Sequence, residues 1–270
     1  MTHYGVQLDI CNRIAIVTLN RPDRQNAFNE TMWSSFESAV DQLQTANPGA
    51  VVVTGAGDRA FCAGFDVNPD NPQVEKLSKA IETGDPNPIK DLIQRIRAGV
   101  DRLISLPIPI IAAVNGFAYG GGAELAVQCD MRVIDPGAAF CFSEVKLGLM
   151  PDWGGGVALT RLAGPAVASE LILTARKIKA DEALTKGLVN RISAPGKALD
   201  EAVSIASTIV KNGPRAVQAA LKVIRGSQDL PMQQAFQLEG KEAVRLIASG
   251  ECIHGISAFL TRQQPNFPEI

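Results

Sequence analysis

Apolar positions along this chain recur at two periods, every second residue in some stretches and every third or fourth in others, and the two alternate. That alternation predicts strands and helices stacked in layers, an α/β fold. "YGVQLDI" and "RIAIVTL" are strand-like and separated only by Cys11 and Asn12, a tight hairpin. From Glu30 to Ala46, the residues Met32, Phe36, Ala39, Val40 and Leu43 fall on one helical face. "AVVVTG", "PIPIIAAVNG" and "MRVID" are short apolar strands, and helices between them favour buried, largely parallel pairing. Residues 68–88 turn polar and rich in Pro, Asn and Asp, which predicts a long surface loop with a short helix around Val74 to Ile81.

Beyond about Pro165 the spacing is almost wholly helical. Asp181 is the expected N-cap of "ADEALTKGL", and Gly213 followed by Pro214 is a stop signal. The expected organisation is an α/β core over residues 1–195 and a helical region over residues 196–270.

Composition narrows the possible functions. The 46% hydrophobic and 20% charged fractions belong to a soluble globular chain, and a net charge of −2 provides no basic field for nucleic acid or an anionic membrane. Five cysteines (Cys11, Cys62, Cys129, Cys141, Cys252) are widely spaced without a C-x-x-C, which indicates neither a disulfide framework nor a zinc site. With no basic-then-apolar leader and no run of about 18 apolar residues, a cytoplasmic location is expected.

The densest candidate chemistry is "VNGFAYGGGAELAVQCD". Its G-x-x-x-G-G-G is not the G-x-G-x-x-G of a dinucleotide site, and no Walker lysine follows. Two readings remain. The glycines let a helix pack closely on a strand, or they open a helix whose free N–H groups and positive dipole end suit a developing oxyanion. Glu124 lies three residues beyond Gly121 on nearly the same face, inside an apolar run where a carboxylate is expensive unless paired or chemically used. Ala63-Gly64-Phe65, after the "AVVVTG" strand, is a candidate source of a second N–H donor, or an ordinary loop turn.

Four ordered motifs, "NRPDRQNAFN", "AFCAGFDV", "NGFAYGGGAELAVQCD" and "FSEVKLGLMPDWGG", together with the ending "FLTRQQPNF", resemble the crotonase superfamily, the enoyl-CoA hydratase/isomerase family. The resemblance implies a spiral of ββα units with a helical trimerisation region, assembled as a homotrimer or a homohexamer (a dimer of trimers). It also implies an acyl-CoA thioester as substrate, with no metal and no cofactor beyond it. By the same resemblance the oxyanion donors are the N–H groups of Phe65 and Gly121, and the paired catalytic acids are Glu124 and Glu144. Removing such a donor typically costs about 3 kcal/mol of barrier. Arg24 corresponds to a position near the CoA moiety. Ala27, Ala63, Asp66 and Val67 are the expected neighbouring substrate contacts, and Phe259 and Arg262, at i and i+3 in the last helix, match a pair that reaches a neighbouring subunit's ligand.

One position departs from the family pattern. After "LGLMP" the typical hydratase has glycine, whose N–H helps hold the reacting water, whereas this chain has Asp152. Dienoyl-CoA isomerases carry an acid there, as does a hydrolytic dehalogenase branch, and so do carnitinyl-CoA dehydratases, which still move water. The dehalogenase chemistry relies on a histidine base, and the two histidines here, His3 and His254, lie outside every motif. Trp153 either lines the acyl pocket or fills the core. The expected activity is reversible hydration of a 2-enoyl-CoA. A double-bond isomerase is the alternative within the fold, and a non-catalytic acyl-CoA-binding protein is the alternative of another class.

Overall fold

The computed structural model describes residues 5–268, so His3 and the first residue of the predicted first strand, Tyr4, lie outside the described residues. Strands β1 (Gly5–Cys11) and β2 (Ile14–Asn20) pair antiparallel. The hairpin turn is Asn12-Arg13, both at positive φ, one residue later than the sequence predicts. Helix α1 (Glu30–Ala46) begins where Asn29 accepts the Met32 N–H at 3.1 Å, and it buries the apolar face read from the sequence, with Trp33 added.

A spiral follows. Each turn lays one strand in a large sheet, the next in a small sheet, and then helix. Strands β3 (Ala50–Gly55) and β4 (Ala60–Cys62) lead to α2 (Pro72–Thr83) and α3 (Asn87–Ile104). Next come β5 (Ile110–Val114), β6 (Phe117–Tyr119) and α4 (Gly121–Gln128). Then β7 (Met131–Ile134) and β8 (Ala139–Cys141) run into a 3-10 helix at Glu144–Leu147, α5 (Gly155–Ala163) and α6 (Pro165–Thr174). The chain continues through β9 (Ile178–Lys179), α7 (Ala180–Thr185), β10 (Arg191–Ile192), α8 (Ala198–Ile209), α9 (Pro214–Ser227), α10 (Met232–Ala248) and α11 (Glu251–Leu260). The large sheet has the order β1-β2-β3-β5-β7-β10 and the small one β4-β6-β8-β9. This is the expected ββα spiral with helices at its C-terminal end.

Four expectations change. The polar stretch at 68–88 is mostly the helix α2, started by Asn71 and Pro72 and stopped by Gly84 in the left-handed region; only Gln73 and Ala80 of it are buried, so it carries no apolar stripe. Beyond Pro165 the chain is not wholly helical, since β9 and β10 each add two residues to a sheet. Asp181 is not an N-cap: α7 starts after Lys179, and Asp181 sits in its first turn. Gly213 and Pro214 start α9 as N-cap and first residue, because α8 has already ended at Ile209.

Two cores flank the large sheet. One face carries Phe28, Trp33, Phe36, Ile96, Val100 and Leu103 from α1, α3 and their approaches. On the other, Ala198, Ala202 and Ala206 of α8 pack on Val52, Ile111 and Val133. Helix α8 therefore completes the α/β body, and the chain departs from it only at α9. Arg225 tethers α9 to the body through Asp130 at 2.6 Å and the Leu106 carbonyl at 2.7 Å. Helices α10 and α11 leave Phe236, Val244, Ile247, Ile253, Ile256 and Phe259 exposed. Among the described residues no single helix is long and apolar enough to cross a membrane.

Candidate active site

Three neighbouring parallel strands of the small sheet end side by side, β4, β6 and β8. Just past their C-terminal ends come Phe65, Gly121 and Glu144, the position at which α/β sheets usually present ligand groups. Phe65 is held by a parallel bridge to Phe28: the Phe28 N–H donates to the Gly64 carbonyl at 2.7 Å, and the Asp66 N–H donates to the Phe28 carbonyl at 2.9 Å. The N–H groups of Phe65 and Gly121 take no part in these loop and cap bonds. Gly121 is the first residue of α4, where a helix has N–H groups to spare.

The close-packing reading of the triple glycine holds. Gly120 makes the turn into the helix at φ 52° and ψ −129°. A Cβ on Gly121 would overlap the Trp153 indole, and one on Gly122 would overlap the Cys62 carbonyl, so Gly122 is the residue that lets α4 lie on β4.

Glu124 lies fully buried on α4. Its Oε1 accepts the Asp152 N–H at 3.2 Å, and its Oε2 accepts the N–H groups of Trp153 at 2.9 Å and Gly155 at 2.8 Å. The turn 152–155 thus wraps one carboxylate in backbone donors, which favours the anionic form. Glu144 is also buried, yet neither of its oxygens has a hydrogen-bond partner. Burial, and next the Glu144 charge, push the Glu124 carboxyl up to about 8, against the pull of the Gly155 N–H. Burial likewise raises Glu144 and Asp152, and the Asp152 charge raises both glutamates further. Two such carboxyls titrate as a pair. Three backbone N–H groups converge on Glu124 and none on the Glu144 oxygens, so the two carboxyls sit in unlike surroundings.

The enoyl-CoA hydratase/isomerase family model matches residues 9–269. The chain belongs to that family. It is 38% identical over 251 residues to a short-chain-enoyl-CoA hydratase of Clostridium acetobutylicum, covering 92% of this chain and 89% of that protein. It is 33% identical over 269 residues to a crotonyl-CoA hydratase of Syntrophomonas wolfei, covering 99% of each. Among solved structures, an enoyl-CoA hydratase from Bacillus anthracis superposes with a TM-score of 0.86 at 30% identity, covering 97% of this chain and 98% of that one.

As a member of the enoyl-CoA hydratase/isomerase family, the chain has its other motif residues to place. Arg24, Ala27, Ala63, Asp66 and Val67 lie on the two segments joined at Phe28 and Phe65. Arg24 pairs with Asp70 at 2.7 Å near the surface, and Val67 is exposed. Ala27 is buried, and the Ala63 N–H donates to the Gln25 carbonyl at 3.0 Å. Asp66 is turned inward: its carboxylate takes Arg21 at 2.5 Å and Asn68 at 2.5 Å, so its side chain shapes the loop. Trp153 fills the core, its ring 5.3 Å from Phe28 and 4.8 Å from Trp33, while another part of it covers Gly121. Phe259 is 82% exposed on α11. Arg262 is not in that helix, which ends at Leu260; it follows with φ 54°, its N–H bonded to the Phe259 carbonyl. His254 is exposed on α11.

Sequence reasoning missed three side chains. Asn26, fully buried in "NRPDRQNA", donates to the Ala56, Ala60 and Phe61 carbonyls and pins the loop ahead of β4. Arg97 on α3 and Gln128 on α4 both donate to the Trp153 carbonyl. Their polarity beside apolar helix faces was the available signal.

Proposed function

We propose that this chain is an enoyl-CoA hydratase, adding water reversibly across a 2-enoyl-CoA thioester. The observation that carries the proposal is the unlike pair of buried carboxyls, Glu124 wrapped in N–H donors and Glu144 with none, beside two uncommitted backbone N–H groups. The thioester oxygen accepts from the N–H groups of Phe65 and Gly121. The Glu124 carboxylate takes a proton from water as the water oxygen bonds to the β-carbon. The π electrons move onto the thioester as an enolate, stabilised by those two donors. The protonated Glu144 delivers its proton to the α-carbon, the C=O re-forms, and one water has been added. The proton gained by Glu124 then restores the pair. Environment sets the two roles, as in other paired-carboxylate sites.

In this reading CoA runs along Arg24, Ala27, Ala63 and Val67, and no cofactor beyond the thioester substrate takes part. The exposed apolar residues of α10 and α11 support self-association as a trimer or a dimer of trimers, in which Phe259 and Arg262 meet a neighbouring subunit. The reading places the enzyme in the cytoplasm.

Asp152 favours one second reading, a double-bond isomerase, because it sets a third raised carboxyl beside the pair. Crotonyl-CoA, a 3-enoyl-CoA and a dienoyl-CoA separate the two. Hydration removes the conjugated chromophore and adds the mass of one water, whereas isomerisation moves absorbance without mass gain. Water addition that persists in both Glu124→Gln and Glu144→Gln would overturn the assignment. No turnover of any thioester, with CoA still bound, would return the non-catalytic alternative.

A further inference from the structure

The turn that holds Glu124 is itself held from behind. The Trp153 carbonyl lies between the Trp153 and Gly155 N–H groups that Glu124 accepts, so fixing that oxygen fixes the donors on either side of it. It receives two side-chain donors, the Arg97 guanidinium from α3 and the Gln128 Nε2 from α4 at 3.0 Å. The same Gln128 nitrogen donates to the Glu124 backbone carbonyl at 3.0 Å, closing a loop between helix and turn. Arg97 reaches inward through a gap left by Gly154. That residue has φ +101°, and a Cβ there would overlap the guanidinium and stand 2.8 Å from Gln128 Oε1. The far side of the guanidinium is anchored by Asp101, one turn along α3. A charged side chain has thus been given an approach that only a glycine in this conformation leaves open.

We propose that Arg97 is a positioning residue for Glu124, holding the 152–155 turn by its Trp153 carbonyl so that three backbone N–H groups converge on the carboxylate. This rests on the reading of Glu124 as the carboxylate that takes the proton from water. Gln128 supplies a second, neutral bond to the same oxygen. Arg97 supplies a positive charge as well, on the side of the turn away from the acids. The charged groups facing Glu124 are then Glu144 from the 3-10 helix and Asp152 from the turn, with Arg97 behind the turn from α3. Losing the cation loosens the donors and removes a positive charge from behind the turn, and both effects raise the proton affinity of Glu124.

The test compares Arg97→Met, Arg97→Lys and Gln128→Met in the full-length enzyme with crotonyl-CoA, by kcat, KM and pH profile. Misplacing a catalytic group by a fraction of an ångström to an ångström costs on the order of 10- to 100-fold. Arg97→Met is therefore expected to lose kcat on that scale with KM within about twofold, and its acidic limb is expected to move to higher pH. Arg97→Lys keeps the charge and should restore the limb and part of the rate. Gln128→Met, which removes a bond to the turn but no charge, should lower kcat and move the limb less than Arg97→Met does. Should Arg97→Met fail to fold, Asp101→Asn, which frees one side of the guanidinium, is expected to show a smaller change in the same direction. An Arg97→Met enzyme with wild-type kcat, or with reduced kcat and an unmoved acidic limb, overturns the proposal. Glu124→Gln run alongside separates the two layers. If it is inactive while Arg97→Met is normal, only the positioning role falls; if it retains full activity, the reading of Glu124 falls and the proposal with it.

Discussion

Glu124 and Glu144 are the same residue type, both buried and close enough for the Glu144 charge to raise the proton affinity of Glu124, yet they sit in opposite surroundings. Glu124 comes from a helix and faces a turn that presents three N–H groups; Glu144 opens the 3-10 helix that follows β8 and faces none. The difference teaches that, in the proposed mechanism, the assignment of acid and base is a property of the backbone around each carboxyl. A site with two identical side chains becomes directional because one turn, thirty residues along the chain, folds back on only one of them.

The comparison breaks most visibly in activity. Glu144→Gln and Glu124→Gln are each expected to lower kcat for hydration on the order of 10²- to 10⁴-fold, read from the loss of enoyl absorbance. Gly121→Ala, whose methyl meets the Trp153 indole, should displace an oxyanion donor and lower kcat by roughly 10²- to 10³-fold. Both glutamates should remain intact in that variant, so its pH profile should keep the wild-type shape.

The pH profile sharpens the comparison. The pair is active with one proton, so the rate should fall on the acidic side as a second proton binds. On the alkaline side it should fall as the last proton leaves Glu144, whose carboxyl burial holds above the ordinary glutamate range. In Glu144→Gln that proton is gone, and the residual activity, followed from pH 5 to 10, should show no alkaline limb.

Stability is the smallest effect and separates the two residues by sign. Glu144 is raised above the ordinary glutamate value of 4.5, so folding opposes its ionisation. The neutral form's advantage is fully present below 4.5 and is lost as pH rises through the raised value. Glu144→Gln should therefore melt higher than wild type at pH 8.5, by a few degrees for each roughly 1 kcal/mol gained, with the gap closing toward pH 4.5. Glu124→Gln should melt lower, because an amide cannot accept at both atoms and leaves a buried N–H of the turn unpaired, at about 1 to 3 kcal/mol. Thermal melts of both variants at the two pH values decide it.

How much of this was legible in the sequence depended on range. The hairpin, α1 and β3 were readable because their apolar periods are local and uninterrupted. Helix α2 was not, since only Gln73 and Ala80 are buried; its cap residues Asn71, Pro72 and Gly84 carried what signal there was. Helix α3 was readable in principle, with Ile96, Val100 and Leu103 at helical spacing. The motif residues at the ends of β4, β6 and β8 could be named from family resemblance, but the inequality of the two glutamates could not. It depends on Asp152, Trp153 and Gly155 folding onto a helix far back in the chain, a tertiary fact without a local pattern. Arg262 illustrates the same limit at a helix end, where a left-handed residue broke the i, i+3 relation assumed for it.

The parallel pairing of β4 with β6 has a metrical consequence. Adjacent strands run about 4.8 Å apart, and two N–H donors separated by such a distance can both reach a single oxygen at about 2.9 Å. In the proposed mechanism the small sheet therefore acts as a ruler for the two oxyanion donors, its length fixed by the geometry of the peptide hydrogen bond. Substitutions in the acyl pocket can then alter which thioester is accepted without resetting the gauge.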